Sequence, residues 1–204
     1  RPAPESLLPW GLSMLGATAT QAVPGLQPVA GDASSRRYFR FRFENRSYVL
    51  VEAPPATEKN EAFMAVRALL ADAGVTVPAI LAVDLGRGFL LLEDMGDSLL
   101  LPLLDECSVQ QYYARAFDIL GKMSEVDPVR TELAHYDRAL LSEELGRFEQ
   151  WFVQGLLGYT PSAMDRARLN NLFACLLDSA LEQPQVLVHR DFHSRNLMWR
   201  DGDD

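Results

Sequence analysis

Within this chain of 204 residues, the stretch from Val186 to Trp199 restricts the fold most. An apolar run (Val186, Leu187, Val188) and a second one (Leu197, Met198, Trp199) flank a polar loop. That pattern reads as strand, loop, strand, so the loop is held at both ends. It carries His189, Arg190, Asp191, His193, Arg195 and Asn196.

His189-Arg190-Asp191, followed after four positions by Asn196, fits the H-R-D-x-x-x-x-N pattern of phosphoryl-transfer catalytic loops. Chemistry explains the spacing. An Asp accepts the proton of an attacking hydroxyl while an Asn about one loop-turn later holds magnesium against the phosphates, so both converge on one phosphorus atom. On this reading Asp191 is the base and Asn196 a metal ligand. A second reading makes His189, His193 and Asp191 a zinc or iron site, since imidazole and carboxylate are ordinary ligands. A third leaves the loop with a structural role alone.

Composition narrows the choice of partner. With 48% hydrophobic residues the chain can bury a substantial core in one large domain or two lobes, and its net charge of −9 argues against a nucleic-acid surface. The N-terminal Arg1-Pro2-Ala3-Pro4-Glu5 lacks an apolar signal segment, and no run approaches the ~18 apolar residues of a membrane span. A cytoplasmic location follows as the expectation. Cys107 and Cys175, in apolar, helix-like surroundings, read as reduced core thiols.

Leu7, Leu8, Leu12 and Leu15 share roughly one helical face and predict a structural helix over 5–15. Pro28-Val29-Ala30, the small-residue run Gly31 to Ser35, and Arg37 to Phe43, where Phe39, Phe41 and Phe43 alternate with Arg40 and Arg42, read as strand, loop, strand. A loop of Gly, Ala and Ser lets backbone N–H groups approach phosphate oxygens, or is an ordinary hairpin. After a turn at Glu44-Asn45-Arg46, Ser47 to Glu52 makes the third strand. A kinase carries a phosphate-pairing lysine there, but the only lysines are Lys59 and Lys122. Arg36 or Arg37 is expected to supply the charge instead.

A helix is expected from Thr57 to Ala73, with Glu58 and Glu61 favouring its positive end. Strands follow over 80–83 and 89–92, completing a small lobe of five strands over residues 1–92. Glu93-Asp94-Met95-Gly96-Asp97 is the expected hinge, with backbone at Glu93 and Met95 offered to an adenine edge. Residues 98–204 read as a second, mainly helical lobe. Its helices include one opened by a capping box at Ser108 to Gln111, one opened by Ser142 with Phe148, Trp151, Phe152 and Leu156 inward, and one striped with Leu169, Leu172, Phe173 and Leu176. Those aromatics read as core, with Trp151 also able to stack on a sugar ring.

The order of parts, and above all Val188 to Met198 with Phe192-His193 after the Asp, resembles the aminoglycoside phosphotransferase and choline kinase-like superfamily. Gly31 to Arg40, Tyr136 to Leu141 with Glu144, Leu145, Phe148 and Trp151 following, and Glu52-Ala53-Pro54-Pro55 are similar to a narrower group, the bacterial cell-wall amino-sugar kinases acting on the anomeric hydroxyl of N-acetylmuramate and N-acetylglucosamine. The resemblance implies an α+β, two-lobed protein kinase-like fold using ATP and Mg2+. It assigns Asp191 as base and Asn196 as metal ligand, with Asp32, Ala33, Ser34, Ser35, Arg36, Arg37, Glu93 and Met95 on the nucleotide. His193 and Arg195 either touch substrate or hydrogen-bond the loop backbone, and His189 braces the loop. An aminoglycoside or other small-molecule hydroxyl kinase and a nucleotide-binding pseudokinase are the alternatives. The family's second metal-binding Asp lies on the strand after Asp201-Gly202, where the sequence ends; the 204 residues alone are expected to be feeble or inactive.

Overall fold

The computed structural model describes residues 2–18, 22–29, 35–127 and 133–200. Its N-terminal half is an antiparallel sheet built from β1 (Gln27–Val29), β2 (Arg37–Phe43), β3 (Arg46–Glu52), β4 (Ile80–Asp84) and β5 (Phe89–Glu93). The strand order is β1-β2-β3-β5-β4, which places β3 and β5 in the interior of the sheet. Both faces of β5 must therefore be covered, and Phe89, Leu90, Leu91 and Leu92 are all buried.

Two helices supply the covers. Helix α1 (Leu7–Met14) sits on one face, where Leu7 and Trp10 join Phe39, Phe41, Phe43, Leu50, Phe89 and Leu91. Helix α2 (Asn60–Asp72) serves the other, where Phe63 packs with Val51, Ala53, Leu90 and Leu92. The alternation of phenylalanine along β2 is thus one face of the sheet meeting one helix. Gly11 is what lets α1 close in, because a Cβ there would stand 2.7 Å from Leu50 Cδ2. Pro9 is tolerated because first-turn N–H groups have no intrahelical acceptor.

The turns agree with the sequence. Phe43 pairs with Arg46 across a two-residue loop, and Glu44 and Asn45 both have positive φ (47° and 63°), as a primed hairpin turn requires. Gly88, at φ +68°, accepts from Ala53 N–H through its carbonyl at 2.7 Å; a Cβ there would lie 2.1 Å from Ala53 O, so no other residue fits. Helix α2 begins at Asn60 rather than Thr57, leaving Glu58 in the turn before it. Buried Asn60 ties that start to the sheet by donating from Nδ2 to Ala53 O, 2.8 Å.

The helical part departs from expectation at several points. In α3 (Val109–Ser124), Ser108 does not close a capping box; its hydroxyl turns back to Leu103 O (3.0 Å) and accepts from Asp105 N–H. Helix α4 (Arg138–Arg147) opens at Asp137, whose carboxylate accepts from Leu140 N–H at 2.9 Å, so Ser142 lies inside it. From Phe148 to Leu156 the helix widens to a π-helix. A stripe spaced for 3.6 residues per turn fans out around that wider coil, which is why Trp151 is 66% exposed and Leu156 73% rather than core. Helix α5 (Ala163–Leu181) carries a complete capping box at Ser162 and Asp165. Cys107 and Cys175 are free, as expected, but exposed, not core.

Contacts group the chain into two compact units, Arg1–Asp127 with Leu187–Asp204, and Pro128–Val186. Residues 187–200 and α3 thus fall in the unit that contains the sheet. Among the described residues no helix is long and apolar enough to cross a membrane.

Candidate active site

The flanks of the polar loop are not a pair of strands. Val186 to Val188 are irregular, and among the described residues beyond the loop only Met198 forms a bridge, with Leu99. The backbone nonetheless finds partners, because segment 98–101 runs beside it: Leu100 N–H donates to Leu197 O (2.8 Å), Leu101 N–H to Ser194 O (3.0 Å) and Trp199 N–H to Ser98 O (2.8 Å). Trp199 then packs edge-on against Tyr112 of α3, 4.7 Å between centroids, with the Arg115 guanidinium 5.1 Å from its ring. The loop is fixed by clips along one side and an aromatic anchor after it, instead of by two ladders.

Inside the loop the carboxylate and amide meet. Asn196 Nδ2 donates to Asp191 Oδ2 at 2.7 Å and to Asp191 O at 3.0 Å. An amide oxygen in that position would face two acceptors, so the geometry fixes Nδ2 toward Asp191 and leaves Asn196 Oδ1 as the atom able to coordinate a cation. His193 takes the other carboxylate oxygen, Nε2 to Oδ1 at 3.0 Å. Its Nδ1 accepts from Arg195 N–H at 3.2 Å, which places the ring proton on Nε2 and makes that contact a donated hydrogen bond. Arg190 precedes this cluster at φ +72°, a left-handed conformation disfavoured for a long side chain and found where a backbone is held to aim a neighbour. Asp191 itself stays 64% exposed, open to an incoming hydroxyl. His189 lies edge-on to Phe192, centroids 5.5 Å apart. Among the described residues no group of three or more His, Cys, Asp or Glu gathers as metal ligands would, which leaves the zinc reading without a donor set.

The hinge is tied to the loop. Arg200 NH1 reaches Glu93 Oε1 (3.1 Å) and Met95 Sδ (3.4 Å). Glu93 pairs in turn with Ala79, its N–H donating to Ala79 O (2.9 Å) and its Oε2 accepting from Ala79 N–H (3.1 Å). Glu93 N–H is therefore occupied. Next to it, Arg40 of β2 grips Asp94 through Nε (2.6 Å) and NH2 (2.8 Å), Asp97 through NH1 (2.6 Å) and Gly96 O through NH2 (2.9 Å). Burial alone pushes the Asp94 carboxyl up, but hydrogen bonds from Arg40, Ser47 and Gly96 N–H, with the Arg40 charge, hold it below the usual carboxylate range. The same acids raise Arg40. A cavity of about 630 Å³ opens beside this clasp, lined by residues 24–27, 40–42, Ser47, Asp94, Gly96 and Asp97, a size within the range that holds small ligands.

On the phosphate-loop side, Asp32, Ala33 and Ser34 lie outside the described residues, as does Gly31. Ser35 donates its N–H (3.1 Å) and its hydroxyl to Glu58 Oε1. Arg36 Nε stands 3.1 Å from Glu58 Oε2. Arg37 pairs instead with Glu52 and donates to Pro2 O at 2.7 Å. Glu58 is thus an ion-pair partner, not a free helix-end charge as its position suggested.

Residues 25–204 match the family described as APH, phosphotransferase enzyme family. The chain belongs to that family. The chain is 43% identical over 173 residues to the N-acetylmuramate/N-acetylglucosamine kinase of Pseudomonas putida strain KT2440, covering 85% of this chain and 51% of the relative. The same-named kinase of Pseudomonas aeruginosa strain PAO1 is 44% identical, with the same 85% and 51% coverage. The chain thus spans about half the length of these curated relatives. Among solved structures, a ternary complex of a thermostable mutant of aminoglycoside phosphotransferase APH(4)-Ia with AMP-PNP and hygromycin B superposes with a TM-score of 0.59 at 15% identity, over 97% of this chain and 68% of that one. The α+β kinase-like fold is common to both.

Three groups in this chain escaped sequence reading: Glu58 as partner of Arg36, Arg40 with Asp94, and Arg200 with Glu93. A signal existed for one. Arg40 alternates with the core phenylalanines of β2, and a cation aimed at the opposite face of a covered sheet needs an acid within reach.

Proposed function

We propose that this chain carries the nucleotide site and catalytic loop of an ATP-dependent small-molecule kinase that phosphorylates the anomeric hydroxyl of an N-acetylated amino sugar. One observation carries the reading: Asp191 and Asn196, five positions apart, meet at 2.7 Å on an exposed loop. The substrate class rests on the two relatives at 43% and 44% identity.

In this mechanism Asp191 accepts the sugar hydroxyl proton, while Asn196 and His193 each hold one of its oxygens so that the remaining lone pairs face the substrate. Met95 N–H meets the adenine edge, and Arg36 lies toward the phosphates. Asn196 Oδ1 and the Asp191 carboxylate are hard oxygen donors of the kind magnesium takes, so the residues present fit that ion. Bound there, magnesium would neutralise charge on the phosphoryl oxygens. A nucleoside triphosphate donor agrees with a cytoplasmic site of action.

The test incubates the purified protein with ATP, magnesium and N-acetylmuramate, N-acetylglucosamine or an aminoglycoside, and compares Asp191→Asn. The carboxamide keeps the shape and loses the base, so turnover should fall by about 10²–10⁴-fold with sugar binding retained. Equal turnover in the variant removes Asp191 as the base. Turnover of the aminoglycoside alone moves the substrate class to the runner-up.

A further inference from the structure

Strand β3 does not supply the cation that phosphoryl-transfer sites place against their phosphates, and the sheet's own alternation shows where one comes from. Val49, Val51 and Ala53 pack on the α2 side with Phe63, while Tyr48 and Leu50 pack on the α1 side. Beyond Ser47 near its start, the side chains that β3 and Ala53 turn toward α2 are apolar. The carboxylate in the turn before α2, Glu58, takes its cation from the residue just before β2: Arg36 Nε lies 3.1 Å from Glu58 Oε2, the two side chains being 15% and 13% exposed.

Arg36 is held from a second direction, its guanidinium 4.4 Å over the Phe63 ring. Glu58 has a second duty as well, since its Oε1 accepts from Ser35 N–H at 3.1 Å. One carboxylate thus fixes both the last residue of the small-residue loop and the guanidinium beside it. Period-2 alternation sends the neighbouring arginine to the opposite face, where Arg37 meets Glu52, donates to Pro2 O and lies 5.5 Å over Phe39. The two arginines that sequence reading left as equals are separated by the thickness of the sheet.

We infer that Arg36 is the phosphate-binding cation of the nucleotide site, and that Glu58 is its positioning residue; this rests on the phosphotransferase reading above. A guanidinium presents five donors in a planar fork suited to paired phosphate oxygens. Pre-orientation by an ion pair and an aromatic face lowers the ordering cost of that contact.

Calorimetric titration of the purified protein with ATP, ADP and adenosine, each with magnesium, tests it. In Arg36→Met, ATP and ADP should bind about 10–100-fold more weakly while adenosine binds as before. Arg36→Lys should recover most of the ATP affinity, because the charge remains. Glu58→Gln should weaken ATP less than Arg36→Met does, and a double variant should lose no more than Arg36→Met alone. An Arg36→Met protein that keeps its ATP affinity, or loses adenosine in parallel, overturns the assignment. If Arg36→Met does not fold, an Arg36→Lys protein with unchanged ATP affinity supports the assignment and one that loses ATP and adenosine equally overturns it. Wild-type protein that binds none of the three overturns the phosphotransferase reading along with this one, whereas wild-type binding with an indifferent Arg36→Met overturns this one alone.

Discussion

The unit containing the sheet and the unit between Asp127 and Leu187 both carry many large apolar side chains, yet they use them differently. In the first, Leu7, Leu50 and Leu91 are fully buried, because each strand sends alternate residues to two faces and each face has a helix on it. In the second, Leu177 at 8% exposure is the one large apolar residue buried among those described, while Phe148, Trp151 and Leu156 are 45%, 66% and 73% exposed. What holds the second unit is mostly local, in the Asp137 cap, the Ser162 box and the Phe148–Phe152 stack at 5.3 Å, with an ion pair between Arg138 and Asp178 joining α4 to α5. Packing energy is concentrated in the sheet, and short-range hydrogen bonds carry more of the load elsewhere.

The contrast is easiest to break with matched truncations. Leu91→Ala removes a side chain with no exposed surface from an interior strand and should cost about 3–5 kcal/mol. Leu156→Ala makes the same chemical change at 73% exposure and should cost less than about 0.5 kcal/mol. Denaturant midpoints of the two variants measure the gap. Equal shifts would mean that Leu156 is covered in solution.

That gap also marks what was legible in the sequence. Phe39, Phe41 and Phe43 announced a strand with one buried face, and Glu44-Asn45 announced its turn, because both signals are written within a few residues. The Asp191–Asn196 meeting was legible for the same reason, as a loop-scale spacing. Burial was not legible for Trp151, Cys107 or Cys175, since helical periodicity says which residues share a face and not whether that face is covered, and a switch to π geometry redistributes the face itself. The Arg40–Asp94 clasp joins residues 54 apart and Arg36–Glu58 joins the approach to β2 with the turn before α2; alternation marks Arg40 as needing an acid, but no local pattern names either partner. Val186 to Val188 failed as a strand because, among the described residues, no ladder pairs with it.

A second substitution sharpens the comparison by testing a polar contact inside the sheet unit. The Asp94 side chain is 7% exposed and accepts from Arg40 and Gly96 N–H, so Asp94→Asn should cost about 2–3 kcal/mol at neutral pH. The sign of its pH dependence follows from the direction of the shift. A carboxyl held below its unfolded value, about 3.9, contributes fully above that value and loses its contribution as pH falls through the lower folded one. The stability difference between wild type and Asp94→Asn should therefore be flat above about pH 5 and narrow in more acidic solution. A difference that grows on acidification would show that the carboxyl is raised by burial instead.

A smaller effect than at Asp94 is expected in the helical unit, at the cap of α5. Ser162 Oγ accepts from Asp165 N–H at 3.2 Å and donates to Asp165 Oδ2 at 2.7 Å, and the Ser162 hydroxyl is the foremost cause holding the Asp165 carboxyl below its ordinary range, ahead of Tyr159. Ser162→Ala should cost about 1 kcal/mol and raise the Asp165 titration measured by NMR toward the ordinary carboxylate value. If stability of the second unit is local, the amides of the first turn of α5 should exchange faster while those of β3 and β5 keep their protection. Loss of protection in the strands of the same size would instead tie the two units into one cooperative structure, and the division between a packed region and a capped one would no longer describe how this chain is held.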